Sequence, residues 1–167
     1  ASDNTAVGMH SLGANTTGTE NTAVGSASLE ANTTASYNTA LGNGALQDNV
    51  TGANNTAVGR NVLRDNLASN NTGVGMNAME RMTTGDSNTA IGQNALFANT
   101  TGQYNTAVGR QALDANTTGT TNTALGANAL DANTTASNNT AIGYDALGLN
   151  TTGTQNVAIG AYSLGTN

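Results

Sequence analysis

The stretch Asn4-Thr5-Ala6-Val7-Gly8 decides how this chain folds, because close copies of it recur along the whole sequence. The copies begin at Asn4, Asn21, Asn38, Asn55, Asn71, Asn88, Asn105, Asn122, Asn139 and Asn156. Successive copies are 17 residues apart, except for a step of 16 between Asn55 and Asn71. Tandem repeats are typical of proteins in which each unit packs only against its neighbours. We therefore predict a single repeat domain over 1–167, whose function lies in a surface displayed many times.

The repeated unit reads N-T-A-[VIL]-G-x-x-[AS]-L-x-x-N-T-T-[GA]-x-x, in which Asn, Thr and Gly dominate. These residue types are poor in helix interiors, so long helices are excluded. The segment N-T-A-V favours a short strand with Thr and Val on one face and Asn and Ala on the other. The segment x-x-A-L predicts a second short strand, and N-T-T-G predicts a polar turn. Together they predict an all-β fold, a parallel β-solenoid of ten coils.

A glycine follows the first strand in every copy. A backbone position that takes glycine ten times in one chain indicates a positive φ or the close approach of another backbone segment. We interpret it as a corner of each coil. The corner glycines are Gly8, Gly25, Gly42, Gly59, Gly75, Gly92, Gly109, Gly126, Gly143 and Gly160.

Stacked coils place equivalent residues above one another at about 4.8 Å, which predicts a rod roughly 45 to 50 Å long. Two aliphatic columns are then expected to line the core. The first is Val7, Val24, Leu41, Val58, Val74, Ile91, Val108, Leu125, Ile142 and Ile159. The second is Leu12, Leu29, Leu46, Leu63, Met79, Leu96, Leu113, Leu130, Leu147 and Leu164. Asn4 and its successors are expected to form a hydrogen-bonded amide column.

This core is thin for a rod that stands alone, because two aliphatic side chains per unit bury little surface against the entropy of ordering the chain. A lone rod would also expose a column of small Ala faces. That column is Ala6, Ala23, Ala40, Ala57, Ala90, Ala107, Ala124, Ala141 and Ala158. Packing several rods side by side would bury it, so we predict a homotrimer.

A resemblance to known fibrous repeats points the same way. The last copy, Asn156-Val157-Ala158-Ile159-Gly160 followed by Ala161-Tyr162-Ser163, resembles the xVAIGxxS unit of YadA-like trimeric autotransporter adhesin heads. The whole unit is similar to the NTAVG/NTTG repeats of phage tail fibres and of bacterial surface proteins with a tail-fibre chaperone domain. The resemblance implies a left-handed parallel β-roll in which three chains associate, located extracellularly on a cell surface or a virion. YadA-like coils are shorter, and most copies here have Thr in place of the first Val.

Composition argues against several functional classes. Four Arg, no Lys and a net charge of −6 leave no basic stripe for nucleic acid. No Cys is present and no apolar run approaches the roughly 18 residues of a membrane span, so we expect neither a thiolate metal site nor membrane insertion. The single histidine, His10, has no nucleophile nearby in its unit, and the corner glycines form no nucleotide-binding motif. We therefore expect no catalysis and no cofactor.

Two further patterns each allow a functional interpretation. Asp114 and Asp131 stack into a like-charge pair that could hold a hard cation, although the dense Gly-Asp signature of calcium-binding rolls is absent. The N-T-T tracts match the N-glycosylation pattern, but we favour a structural turn. They begin at Asn15, Asn32, Asn99, Asn116, Asn133 and Asn150.

Departures from the period cluster between Asn55 and Ser87. One residue is missing before Asn71, Gly73 replaces Ala, and Met79 and Met82 replace Leu and the second Asn. Stacking predicts two ion pairs there, which are Arg64 with Glu80 and Asp65 with Arg81. We interpret the region as tolerated variation, and the alternative is a bend or a docking point.

We predict a rigid shaft or head segment of an extracellular fibre, of the phage tail-fibre or bacterial adhesin type. Its partners are expected to be further copies of itself and a host-surface receptor or glycan. Candidate recognition residues are Arg60, Tyr104, Arg110, Tyr144 and Tyr162. Two alternatives remain open: a filament subunit joined end to end, because neither end of the sequence shows a cap, and an ice-binding solenoid that uses the Thr columns of N-T-T.

Overall fold

The computed structural model describes residues 1–165. It contains ten strands, which are β1 (Thr5–Val7), β2 (Thr22–Val24), β3 (Thr39–Leu41), β4 (Thr56–Val58), β5 (Thr72–Val74), β6 (Thr89–Ile91), β7 (Thr106–Val108), β8 (Thr123–Leu125), β9 (Thr140–Ile142) and β10 (Val157–Ile159). They form one sheet in chain order, and every neighbouring pair is parallel. Within the described residues, no helix is long and apolar enough to cross a membrane.

The stacking of the coils is in register throughout. Val108 pairs with Leu125 between β7 and β8. The register also survives the 16-residue step, where Ala57 pairs with Gly73. The predicted all-β parallel solenoid is therefore confirmed, and the missing residue is absorbed outside the strands.

The prediction of a second strand at x-x-A-L is wrong, because this segment forms turns. Positive and negative φ values alternate along it, with Ala27 at 57° and Leu29 at 49°. A non-glycine residue in this region costs roughly 1–2 kcal/mol. Burial of the Leu side chain and a coil-to-coil hydrogen bond, from the Leu29 N–H to the Ala45 carbonyl at 3.0 Å, oppose that cost. The segment thus bonds to the neighbouring coil without strand geometry.

The corner glycines meet two constraints at once. Their φ values lie between 119° and 142°, a region that residues with a side chain rarely adopt. A Cβ atom on Gly25 would also lie 2.5 Å from the carbonyl oxygen of Gly42 in the next coil. Glycine is required here because the corner turns tightly and because the next coil stacks directly on it.

The first predicted core column is wrong, because it lies on the outside of the rod. Val7 is 58% exposed, Leu125 is 46% exposed and Ile159 is 70% exposed. The remaining members are exposed or half-buried. Strand alternation places Ala on the opposite face, and the walls of the coil are close enough that only this methyl group fits inside. We call the external column the outer row: Val7, Val24, Leu41, Val58, Val74, Ile91, Val108, Leu125, Ile142 and Ile159.

The interior is lined by small residues and by the Leu column. Ala23, Ala40, Ala57, Ala90, Ala107, Ala124, Ala141 and Ala158 are buried, as are Leu29, Leu46, Leu63, Met79, Leu96, Leu113, Leu130 and Leu147. In the outermost coils, Leu12 is partly buried and Leu164 is exposed. The strand Ala column therefore lies inside the coils, except for the exposed Ala6 in the first coil, and the argument that a homotrimer is needed to cover it fails.

Coils four and five contain a compensated packing change. Val62 occupies a buried position that Ala45 and Ala78 hold in the adjacent coils, and Gly73 replaces the strand Ala on the facing wall. A Cβ atom on Gly73 would lie 2.5 Å from Cγ1 of Val62. The larger residue on one wall is therefore matched by the smaller one on the other, which gives a physical reason for the departure at Gly73.

A double-mutant cycle tests this compensation. Gly73→Ala alone is expected to lower the free energy of unfolding by about 1–3 kcal/mol, because it overpacks the contact with Val62. In the Val62→Ala background, the same change restores the common Ala–Ala pair and is expected to be neutral or stabilising. Denaturant unfolding of the four variants gives the coupling energy. Additive effects of the two changes would contradict the compensation.

Candidate interaction face

Two buried columns of asparagine amides hold the coils together. In the first column, the Asn105 N–H donates to Asn88 Oδ1 at 2.9 Å, and Asn105 Nδ2 donates to the Gly119 carbonyl at 2.9 Å. In the second column, Asn116 Nδ2 donates to Asn99 Oδ1 at 3.0 Å and to the same Gly119 carbonyl at 3.1 Å. Eight coils are closed in this way by two amides that converge on one carbonyl, and in the coil that starts at Asn71 only the first amide does so. The first column was expected from the sequence, whereas the second was read only as a turn.

The second column explains what the N-T-T tracts do. Its members Asn32, Asn99, Asn116, Asn133 and Asn150 are almost fully buried. Where Met82 takes the place of Asn, Asn99 Nδ2 lies 3.2 Å from its sulfur, and Asn71 Nδ2 donates across to Asn66 Oδ1 at 3.3 Å. The tracts are therefore structural: the side-chain N–H groups of their buried asparagines donate hydrogen bonds, whereas Asn32 Oδ1 is buried without a partner within the described residues.

Asn116→Asp tests the amide columns. The change replaces two N–H donors with a carboxylate that faces the Gly119 carbonyl and Asn99 Oδ1. We expect a loss of about 3–5 kcal/mol in the free energy of unfolding at neutral pH, because an unpaired charge becomes buried. Asn138→Asp on the exposed corner is the matched control, with an expected change within about 0.5 kcal/mol. Equal effects in thermal or denaturant unfolding would contradict the role of the column.

The outward side of the sheet forms an uncharged face. Each strand from β1 to β9 presents one Thr beside one residue of the outer row. These Thr are Thr5, Thr22, Thr39, Thr56, Thr72, Thr89, Thr106, Thr123 and Thr140, and none of their hydroxyls has a hydrogen-bond partner among the described residues. We call the Thr column and the outer row together the interaction face. It spans all ten strands, a length of about 43 Å at the spacing of stacked strands.

The candidate recognition residues lie along the edges of the rod and do not form one site. Arg60, Arg110, Tyr144 and Tyr162 come just after corner glycines, whereas Tyr104 precedes Asn105 at a different corner. Tyr144 and Tyr162 contact each other edge to face with ring centroids 5.3 Å apart. No pocket is found on the part of the chain that the structure describes. Any recognition through these residues would use separate exposed side chains.

The region between Asn55 and Ser87, where the repeat departs from its period, contains one of the two predicted ion pairs. Arg64 contacts Glu80 in the next coil, as expected, and also Asp65 in its own coil at 2.7 Å. The predicted pair between Asp65 and Arg81 is wrong. Arg81 instead lies over the ring of Phe97, 4.7 Å from its centroid. Such partly exposed pairs contribute less than about 1 kcal/mol each.

The carboxyl groups of Asp114 and Asp131 are partly buried, and burial disfavours their charged form. Burial raises the pKa of Asp114 above its ordinary value of 3.8, and its Oδ1 is buried without a hydrogen-bond partner. Burial, together with the charges of Asp145 and Asp114, raises the pKa of Asp131. Within residues 1–165 no group of three His, Cys, Asp or Glu side chains could hold a metal ion. His10 lies on the exposed surface.

The raised pKa values predict that part of the stability is lost as the pH rises. A folded pKa above the unfolded value means that this contribution is fully present below the ordinary pKa of 3.8 and disappears as the pH rises through the folded pKa. The double change Asp114→Asn and Asp131→Asn should raise the free energy of unfolding at pH 7 and flatten its pH dependence from about pH 4 upward. Unfolding curves at several pH values check this. An unchanged pH dependence would contradict it.

No protein-family model matches this chain, and no curated protein or solved structure is significantly similar to it. The likeness to tail-fibre and adhesin repeats therefore rests on the residues of the repeat itself. The feature from which function can be argued is the interaction face.

Proposed function

We propose that this chain is a rigid segment of an extracellular fibre, of the tail-fibre or adhesin type, whose copies associate through the interaction face. The observation that carries the proposal is the outer row, whose ten aliphatic side chains lie outside the coil. The interior is filled by asparagine amides, Ala methyl groups and the Leu column, so the outer row is left uncovered in a single chain. Continuous apolar surface of this kind marks an interaction site. A structural role needs no pocket or cofactor.

A further copy of this chain is the partner that fits the face best. A binding partner must present apolar groups with the spacing of the coils along about 43 Å. Another rod has that spacing by construction, and ordinary globular surfaces do not. The face carries no charged side chain, so chains with a net charge of −6 meet there without like charges in contact.

Three copies are favoured over two. In a threefold bundle each face is shared between two neighbours, which suits a face made of two parallel columns. The resemblance to YadA-like heads supports the same number and implies left-handed winding of each coil. The corner residues Arg60, Arg110 and Tyr144 would remain on the outside of such a bundle, available to a receptor or a glycan.

The mass in solution tests this proposal. Sedimentation equilibrium is expected to give about three times the chain mass of 16.5 kDa. Ile91→Glu with Val108→Glu places two charges on the interaction face. We expect the dissociation constant of the assembly to rise at least tenfold, because buried unpaired charges are costly.

The matched control is Thr101→Glu with Thr118→Glu, which adds the same charges at exposed positions outside the face. This variant should keep the mass of the parent. Circular dichroism checks that both variants retain the fold. A mass of one chain for the parent, or equal behaviour of the two variants, would overturn the proposal.

Ice binding is a second candidate, for which we propose the strand threonines instead of the N-T-T threonines. In several N-T-T tracts the hydroxyl of the first Thr donates to a backbone carbonyl, as from Thr16 to Thr33 at 2.9 Å and from Thr100 to Thr117 at 3.1 Å, which leaves only the second Thr hydroxyl free among the described residues. The strand Thr hydroxyls have no such partner, and they recur once per coil on one face. Regularly spaced hydroxyl and methyl groups can match an ordered water layer.

Thermal hysteresis separates the two candidates because both need the same face. Ice binding would be supported if the parent protein is a monomer that depresses the freezing point and if the variant with Thr89→Tyr and Thr106→Tyr has lost this activity. A trimer without hysteresis would support the fibre. Thr101→Tyr with Thr118→Tyr is the control for added bulk elsewhere.

A further inference from the structure

One exposed position recurs at the corner just before each strand. We call it the corner column: Asp3, Glu20, Tyr37, Asn54, Asn70, Ser87, Tyr104, Thr121, Asn138 and Gln155. Its residues have φ values between 56° and 64°. Asn is well suited to this left-handed conformation. Apart from the half-buried Ser87, the members are exposed.

Three members of the corner column match the N-x-[ST] acceptor pattern. They are Asn54, followed by Asn55-Thr56, Asn70, followed by Asn71-Thr72, and Asn138, followed by Asn139-Thr140. In each case the middle residue is the buried first asparagine of the coil and the Thr begins the strand. The acceptor asparagine is thus exposed, and the Thr hydroxyl has no hydrogen-bond partner within residues 1–165.

We propose that Asn54, Asn70 and Asn138 are N-glycosylation sites of the folded chain, which rests on the proposed extracellular location. The donor is an oligosaccharide carried on a lipid diphosphate. The side-chain nitrogen forms a bond to the anomeric carbon of the sugar and loses one proton, and the bond from that carbon to the diphosphate oxygen breaks. The lipid diphosphate leaves with the electron pair.

The N-T-T asparagines after the first coil match the same pattern but are buried and cannot carry a glycan in the folded rod, whereas Asn15 in the first coil is half-buried. Asn32 Nδ2 uses both of its N–H bonds, to Asn15 Oδ1 at 2.9 Å and to the Ala35 carbonyl at 3.1 Å. Asn32 is also fully buried. A sugar on this nitrogen would remove one donor and would have no path to solvent. A chain glycosylated there before folding cannot close that coil, so it is absent from the folded population.

The three sites differ in their surroundings. Asn54 and Asn70 lie in consecutive coils, about 4.8 Å apart along the rod, so that two glycans would crowd each other. Asn138 is flanked along the column by Thr121 and Gln155, which carry no acceptor pattern. We therefore expect high occupancy at Asn138 and shared occupancy between Asn54 and Asn70.

Glycan mapping of the full chain tests the proposal. The chain is secreted from a eukaryotic cell line, and N-glycans are released enzymatically in ¹⁸O water, which converts each occupied Asn into labelled Asp. The expected result in the folded, secreted fraction is label at Asn138 and at Asn54 or Asn70, with none at Asn32 or Asn116. Unlabelled corner asparagines, or label on a buried N-T-T asparagine (Asn32, Asn99, Asn116, Asn133 or Asn150) of folded protein, would overturn it.

Single changes in the same column give a matched pair. Glu20→Asn creates the pattern with Asn21-Thr22, between the column neighbours Asp3 and Tyr37 that carry no acceptor, and should add one glycan to the mass of the chain. Gln155→Asn makes the same corner residue, but Val157 follows instead of Thr, so it should add none. Asn138→Gln should remove one glycan. Equal masses for the Glu20→Asn and Gln155→Asn variants would contradict the assignment.

These outcomes are separable from those of the fibre proposal. Unglycosylated chain made in bacteria reports the assembly mass independently of any glycan. A trimer with unlabelled corners would overturn the glycosylation sites alone, and a labelled monomer would overturn the trimer alone.

Discussion

The structure depends on pairing asparagine amides that are buried inside the coil. A buried amide without partners costs about 1–3 kcal/mol, so each one must find its hydrogen bonds. Here the partners are the amides and backbone groups of the adjacent coil and one carbonyl of the same coil, as at Asn105 and Gly119. Any slip between coils would leave these groups unpaired. The amide columns therefore hold the register on which every other column depends.

The narrowness of the coil decides what the surface displays. With two amide columns and one Leu column inside, the facing wall has room for a methyl group such as that of Ala107 and for little more. The third residue of each strand, an aliphatic residue two positions after the strand Thr, therefore faces outward. An uncharged face with an exposed aliphatic column results from interior packing, and the proposed lateral association of rods depends on it.

The candidate surfaces were only partly predictable. The exposed tyrosines and arginines could be placed at corners because they occupy variable positions, but the interaction face was missed because its aliphatic residues were assigned to the core. Composition cannot reveal this, since alternation permits either face of a three-residue strand to point inward. Likewise, Asn32 and Asn138 match one acceptor pattern, and only burial shows that the first is structural and the second exposed.

The sequence by itself determined the ten stacked repeats, their parallel stacking, the glycine corners and the inner Leu column, because a strict period forces equivalent residues to coincide. Tertiary structure alone decided that Ala faces inward and Val108 outward, that Leu113 adopts positive φ, and that the second asparagine closes the coil. The physical reason is volume. How far apart the two walls of a coil lie depends on all of its side chains together, and no single position in the repeat encodes that distance.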